Sequence, residues 1–268
     1  MTVANPHIAA IRLTESGSFD PHARDTLIVG PSMGTAVRPL FAEMARHLTH
    51  RFQIIGIDLP GQGESPAHHG TVTIEELANT VAELVANLRY TGTIRPGSKV
   101  YFAGLSISGQ VALQLALEHA ELFDGIAVLA SAPKIDEPEN WEERYHLVME
   151  SGTEAMVEMS ASLWVANGFV ETKKLELQKE SMINTDDRSY AEMCKALALY
   201  DATDRLAEIE LPLFIVAGDQ DQMCTVDDAQ IMSQSVQNGS MVVMENAAHL
   251  LPIEHPTQLA DLLDQNLN

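Results

Sequence analysis

Short apolar runs of strand length alternate along the chain with longer segments whose apolar residues recur every three or four positions. The runs are 8–13 (an edge candidate), Thr26-Leu-Ile-Val-Gly30, Phe52-Gln-Ile-Ile-Gly-Ile57, Val100 to Ala103, Gly125-Ile-Ala-Val-Leu-Ala130, Leu213-Phe-Ile-Val-Ala217 and Met241-Val-Val-Met244. Helical spacing shows from about Val37 to Leu48 and over 73–89, where Ile74, Leu77, Val81, Leu84 and Leu88 share a face. It returns after the fourth run, with Val111, Leu115 and Ala116, and from about Thr257 to Leu267. Residues 17–24 read as a polar turn. Strand and helix alternating through short loops predict an α/β fold, a mostly parallel central sheet flanked by helices.

After Ser131-Ala-Pro133 the pattern changes. Residues 134–205 are rich in charge and helix formers, with Met149, Met156 and Met159, and hold no strand-like run. They predict a helical insertion between two halves of one sheet. The expected layout is a core of 1–133 and 206–268, with 134–205 as a helical lid over the strand ends, where open α/β sheets bind ligands.

Size and charge narrow the function. With 268 residues, 46% of them apolar, the chain can bury a substantial core. A net charge of −22 argues against a nucleic-acid partner, which needs clustered Lys and Arg. It also means that an anionic substrate would require a local cation in the pocket. No run is long enough to span a membrane, and the first residues lack a basic stretch followed by an apolar one, so a cytoplasmic protein is expected. Two cysteines, Cys194 and Cys224, suggest neither a disulfide framework nor a metal site, and no cofactor is expected. Nothing in the pattern specifies an oligomeric state.

The stretch that carries chemistry is Gly104-Leu-Ser-Ile-Ser-Gly109, set between the fourth strand-like run and its helix. A strand–turn–helix with a serine at its apex is the context of a nucleophile elbow, in which a strained turn lifts the hydroxyl above the sheet edge. Small residues are required two places before and after, and Gly104 and Ser108 fill them. The alternative reading of this stretch alone is a helix entry in which Ser106 caps the N-terminus. A serine nucleophile needs a base and an orienting acid, and in this fold type they follow it in the order acid, then histidine. Of the ten histidines, only His249 and His255 follow the loop Gly218-Asp-Gln-Asp-Gln-Met-Cys224. His249 sits directly after the last strand and is the expected base. His255 starts the final helix, and His47, His50, His68, His69 and His119 suit surface or helix-end roles. Asp219 and Asp221 are both candidates for the acid.

Here the chain resembles the α/β-hydrolase superfamily. Its acid loop commonly reads Gly-x-x-Asp, which implies Asp221, although Thr225 stands where a proline is usual. Asp58-Leu-Pro-Gly-Gln-Gly-Glu-Ser65 matches the superfamily's loop after the second core strand. The resemblance is strongest to the 3-oxoadipate enol-lactonase branch, through Ser32-Met-Gly-Thr35, the elbow, Trp141…Arg144…Gly152…Trp164, Tyr190…Cys194…Ala198…Asp201 and Ala247-Ala-His-Leu…Glu254-His-Pro256. Three departures stand out: Pro31 replaces the oxyanion-loop asparagine, Ser108 replaces the elbow glycine, and Arg38 and Pro39 stand near the place of the aromatic residue usual after the Gly-Thr step.

The resemblance implies an α/β-hydrolase fold and a serine hydrolase acting on a small carboxylic ester or lactone, with Ser106, Asp221 and His249 as its triad. The backbone N–H of Ile107 would hold the oxyanion with a second from the loop after the first core strand; Pro31 has none to give, which leaves Ser32 or Met33, and Ser32 is the expected donor. Met33, Arg38, Trp141, Arg144 and Trp164 are the candidate substrate contacts, with Arg144 or Arg38 as the cation for a carboxylate. The same triad would also serve carbon–carbon bond hydrolysis or perhydrolysis, and the fold could bind a small ligand without turnover.

Overall fold

A computed structural model describes residues 6–13 and 25–268. The polar turn expected at 17–24 lies outside the described residues. In chain order the main elements are β1 (Ala9–Arg12), β2 (Asp25–Gly30), α1 (Val37–His47), β3 (Phe52–Asp58), α2 (Ile74–Tyr90), β4 (Val100–Leu105), α3 (Ile107–Glu118) and β5 (Gly125–Leu129). Then come α4 (Pro138–Ser151), α5 (Val157–Trp164), α6 (Lys173–Ile183) and α7 (Asp187–Leu199), with no strand among them. The chain closes with β6 (Leu213–Gly218), α8 (Val226–Ser235), β7 (Gly239–Met244), α9 (Leu251–Glu254) and α10 (Pro256–Asn266).

The strands form one sheet in the order β1-β3-β2-β4-β5-β6-β7. β1 pairs antiparallel with β3 at the edge, and every other pairing is parallel. β2, β3, β4, β5 and β6 are buried almost throughout, as apolar runs covered by helices on both faces must be. The expected α/β-hydrolase fold, with its mostly parallel sheet, is the fold observed. β4 runs two residues past the expected Ala103, because Gly104 and Leu105 stay in register with Val128 and Leu129. No bounds follow from apolar spacing for α8, but a reciprocal cap starts it. Thr225 Oγ1 accepts from Asp228 N–H at 3.3 Å, and Asp228 accepts from Thr225 N–H at 2.8 Å. Thr225 thereby stops the acid loop where a proline is usual.

The strand order decides where chemistry can sit. From β2 the chain steps to β3 on one side, then returns to place β4 on the other. At such a switch point the loops leaving two adjacent strands diverge and open a crevice at their carboxyl ends. Gly30 and Gly104 are partners in the β2–β4 register, so the loop after β2 and the turn after β4 start side by side. Asp58 holds one wall of this crevice. It is 1% exposed, and its carboxylate accepts from Val37 N–H at the start of α1 (2.8 Å) and from Glu64 N–H (2.9 Å). Burial still pushes its pKa above the usual value, outweighing both hydrogen bonds.

Candidate active site

At the crevice, Ser106 takes φ 58°, ψ −121°, between the last residue of β4 and the first of α3. A non-glycine residue held there stores strain of roughly 1–3 kcal/mol, so its surroundings must over-determine it. They do. Its N–H donates to Leu129 O at 2.9 Å, and its carbonyl accepts from Gly109 N–H (2.7 Å) and from Ser131 Oγ (2.8 Å). Strand and helix approach so closely that a Cβ on Gly104 would lie 1.9 Å from Ser108 O. Ser131, which braces the turn from β5, carries no motif signal; only its place just after an apolar run could have drawn attention to it.

Two loops from the far half of the sheet converge here. Asp221 follows β6 and His249 follows β7, and His249 Nδ1 lies 2.8 Å from Asp221 Oδ2 with both residues buried. The second carboxylate oxygen of Asp221 accepts from Met223 N–H (2.9 Å) and Cys224 N–H (3.1 Å). Burial alone would raise the Asp221 pKa. The His249 charge and hydrogen bond, with the two backbone donors, override it and hold the carboxyl below its usual value. Asp219 has a different task, accepting from Ala247 N–H at 3.1 Å to fix the loop that carries His249. The two loops touch backbone to backbone, since a Cβ on Gly218 would sit 2.3 Å from Ala248 O.

Glu254, part of the enol-lactonase-like ending but given no role there, fastens this loop to the helical insertion. Its carboxylate accepts from Ala248 N–H (2.8 Å) and Ala166 N–H (2.6 Å), and burial raises its pKa. Leu250 N–H donates to Trp164 O at 2.7 Å on the same seam.

Ser106 and His249 line one small cavity of about 20 Å³, together with Ser32, Met33, Ile135, Trp141, Arg144, Ser160, Trp164, Leu197 and Met223. His249 Nε2 is buried there without a hydrogen-bond partner among the described residues. Trp141, Arg144 and Met223 also line a neighbouring cavity of about 310 Å³, walled by Leu147, Met156, Met159 and Leu163, with Asp136 and Glu143 in its lining. Of the residues expected here, the structure thus brings together Ser106, His249, Ser32, Met33, Trp141, Arg144 and Trp164, and Asp221 stands behind His249. Ile107 is fully buried as the first residue of α3, where its N–H has no partner one turn back. Arg38 is not brought to the cavity; it is exposed and pairs with Glu64 at 3.4 Å. His255 Nε2 donates to Asn246 O (2.9 Å), away from the cavity.

Asp221, Cys224 and His249 are the one group of metal-ligating type found among the described residues, their atoms within 4.8 Å of one another. Two ligands of a tetrahedral ion stand roughly 3.3 Å apart or more. The 2.8 Å contact is that of a hydrogen-bonded pair, and Cys224 is a buried thiol whose pKa burial pushes well up.

Comparison with known proteins agrees with this architecture. The alpha/beta hydrolase family profile matches residues 27–262. The chain is 28% identical over 241 residues to 3-oxoadipate enol-lactonase 2 of Acinetobacter baylyi, covering 89% of this chain and 87% of the relative. To 3-oxoadipate enol-lactonase 1 of the same organism it is 28% identical over 244 residues, 90% and 88% of the two chains. The crystal structure of the enol-lactonase from Burkholderia xenovorans LB400 superposes with a TM-score of 0.85 at 24% identity, over 97% of this chain and 95% of that one. A thermophilic esterase from Thermogutta terrifontis gives 0.82 at 22%, over 96% and 92%. Identities this low speak for the fold.

The Asp221 environment makes a prediction for stability. A carboxyl whose native pKa lies below its ordinary, unfolded-chain value stabilises the fold at pH above that ordinary value and stops doing so as pH falls through the lower native one. Chemical denaturation should find Asp221→Asn less stable than wild type at neutral pH, with the gap closing in acid. Asp58 and Glu254 shift the opposite way but are common to both proteins and cancel. A gap that persists undiminished at pH 2 contradicts the assignment.

Proposed function

The chain belongs to the alpha/beta hydrolase family, and from that premise we propose that it is a serine hydrolase cleaving a small carboxylic ester or lactone through an acyl-enzyme. The observation that carries this reading is the buried His249–Asp221 pair, whose free Nε2 shares a cavity with a serine held at positive φ. Ser106 Oγ attacks the substrate carbonyl while His249 Nε2 takes its proton. Asp221 fixes the tautomer that leaves Nε2 basic and stabilises the imidazolium. The N–H groups of Ser32 and Ile107 receive the oxyanion, the second at a helix N-terminus whose dipole favours negative charge. His249 returns the proton to the leaving oxygen, and water then releases the acyl group by the same steps.

Arg144 narrows the substrate. Its guanidinium bonds Ser160 Oγ (2.8 Å) and Tyr190 Oη, and faces the Trp141 and Tyr190 rings. Its Nε is buried without a partner, and no carboxylate among the described residues forms an ion pair with it. A cation lining a cavity with only neutral partners is costly until an anion joins it. A carboxylate on the substrate, 3-oxoadipate enol-lactone being the case named for two relatives, would supply that anion despite the net charge of −22. Residues 134–205, which contribute Trp141, Arg144, Ser160, Trp164 and Leu197 to the cavity, act in this reading as its cap. The inner cavity holds little more than one water, so Trp141, Arg144 or Met223 must shift for substrate to reach Ser106.

Two outcomes are expected with purified enzyme. Ser106→Ala should lose ester and lactone turnover by at least about 10⁴-fold while keeping its melting temperature; undiminished turnover ends the proposal. Arg144→Gln should raise KM at least about tenfold for a carboxylate-bearing lactone and change it little for a neutral aryl ester. An equal rise for both substrates contradicts the carboxylate role.

A further inference from the structure

Two of the departures from the enol-lactonase pattern, Pro31 and Ser108, meet in space. Ser108 lies in the first turn of α3, is fully buried, and donates its Oγ–H to Pro31 O at 2.6 Å. As the second residue of α3 it has no carbonyl of its own helix one turn back to bond; its hydroxyl reaches the loop after β2 instead. The approach is tight, since a Cβ on Gly30 would come within 2.7 Å of both Ser108 Cβ and Ser108 Oγ.

The acceptor's position gives the bond its meaning. Pro31 C=O and Ser32 N–H belong to one planar trans peptide, so they point in opposite directions and rotate together. The pyrrolidine ring fixes φ of Pro31 on one side of that plane. The Ser108 bond fixes the carbonyl, and with it the remaining rotation. Beyond it, Ser32 O is held by Thr35 Oγ1 at 2.8 Å and by Thr35 N–H at 3.3 Å. Ser32 N–H itself donates to nothing among the described residues, and Ser32 lines the cavity with Ser106.

We propose that Ser108 is a positioning residue for the oxyanion hole, its hydroxyl locking the Pro31–Ser32 peptide so that the Ser32 N–H faces the developing oxyanion. The inference rests on the serine-hydrolase reading above. Asparagine at 31 and glycine at 108, the usual pair, would lack both the ring and the hydroxyl; proline and serine supply the two restraints together. A donor aligned in advance acts on the transition state more than on the ground state, so its loss is read in kcat rather than KM.

The test compares wild type, Ser106→Ala, Ser108→Ala and Ser108→Gly on a neutral aryl ester, with melting temperatures and with the inhibition constant of an aryl trifluoromethyl ketone, whose serine adduct carries an oxyanion. Ser108→Ala removes only the hydroxyl, and Ser108→Gly restores the residue usual at this place. Both should lose about tenfold in kcat with KM within twofold, and bind the ketone about tenfold more weakly, while the acid limb of the pH profile stays where it is. If Ser106→Ala is inactive but both Ser108 variants keep kcat and ketone affinity within twofold, the brace is overturned and the hydrolase reading stands. A loss in the Ser108 variants shared equally between kcat and KM, or matched by a fall in melting temperature, overturns it in favour of a packing role. Turnover surviving in Ser106→Ala overturns both.

Discussion

Everything at the candidate site depends on how closely α3 is forced against the end of β4. With only 1.9 Å between a would-be Gly104 Cβ and Ser108 O, the chain can reverse from strand to helix only through a residue at positive φ. Ser106 occupies that place, and Leu129 O, Gly109 N–H and Ser131 Oγ keep it there. A glycine would hold the turn with less strain. The serine's conformational cost, on the order of 1–3 kcal/mol, is met by the sheet and helix that pack fully buried around it. Its hydroxyl therefore projects without a search through rotations of the backbone.

The strand order then brings the other groups to this point. Because β2 lies between β3 and β4, the loop after β2 starts beside the elbow. Because β6 and β7 are parallel neighbours, their loops leave the same edge, close enough that Gly218 admits no side chain beside Ala247 and Ala248. Three carboxylates near this edge do three different things. Asp221 orients His249, Asp219 ties down Ala247, and Glu254 links the His249 loop to Ala166 of the helical insertion. The His249 charge and hydrogen bond, with two backbone donors, outweigh burial at Asp221 and hold its pKa down; in Glu254 burial wins.

How much of this could be read from residues alone follows from what each feature depends on. The buried strands and α1, α2 and α10 are written in local apolar spacing, and their observed ends fall within one or two residues of expectation. The fold class follows from their alternation. The elbow is legible because its turn needs small residues at fixed spacing. Asp219 and Asp221 are not separable by residue type, two places apart in one loop; which one meets histidine is decided by the packing of that loop on the next. Arg38 and Arg144 are likewise equal in chemistry, and only tertiary structure puts one beside Glu64 at the surface and the other against Trp141. Ser131, Glu254 and the Ser108–Pro31 bond act across elements far apart in sequence, where no local pattern reports them. Pro31 and Ser108 are each legible as departures from the motif; their contact is not.

If Ser106 is a nucleophile made reactive by His249, it reacts covalently where other serines do not. The most direct measurement is intact-mass and peptide analysis of the native protein after brief exposure to a fluorophosphonate, which reacts with activated serines and spares ordinary ones. One adduct is expected, on the peptide containing Ser106, and none when His249 is replaced by alanine. A protein that stays unmodified, or is labelled at another residue, would contradict it.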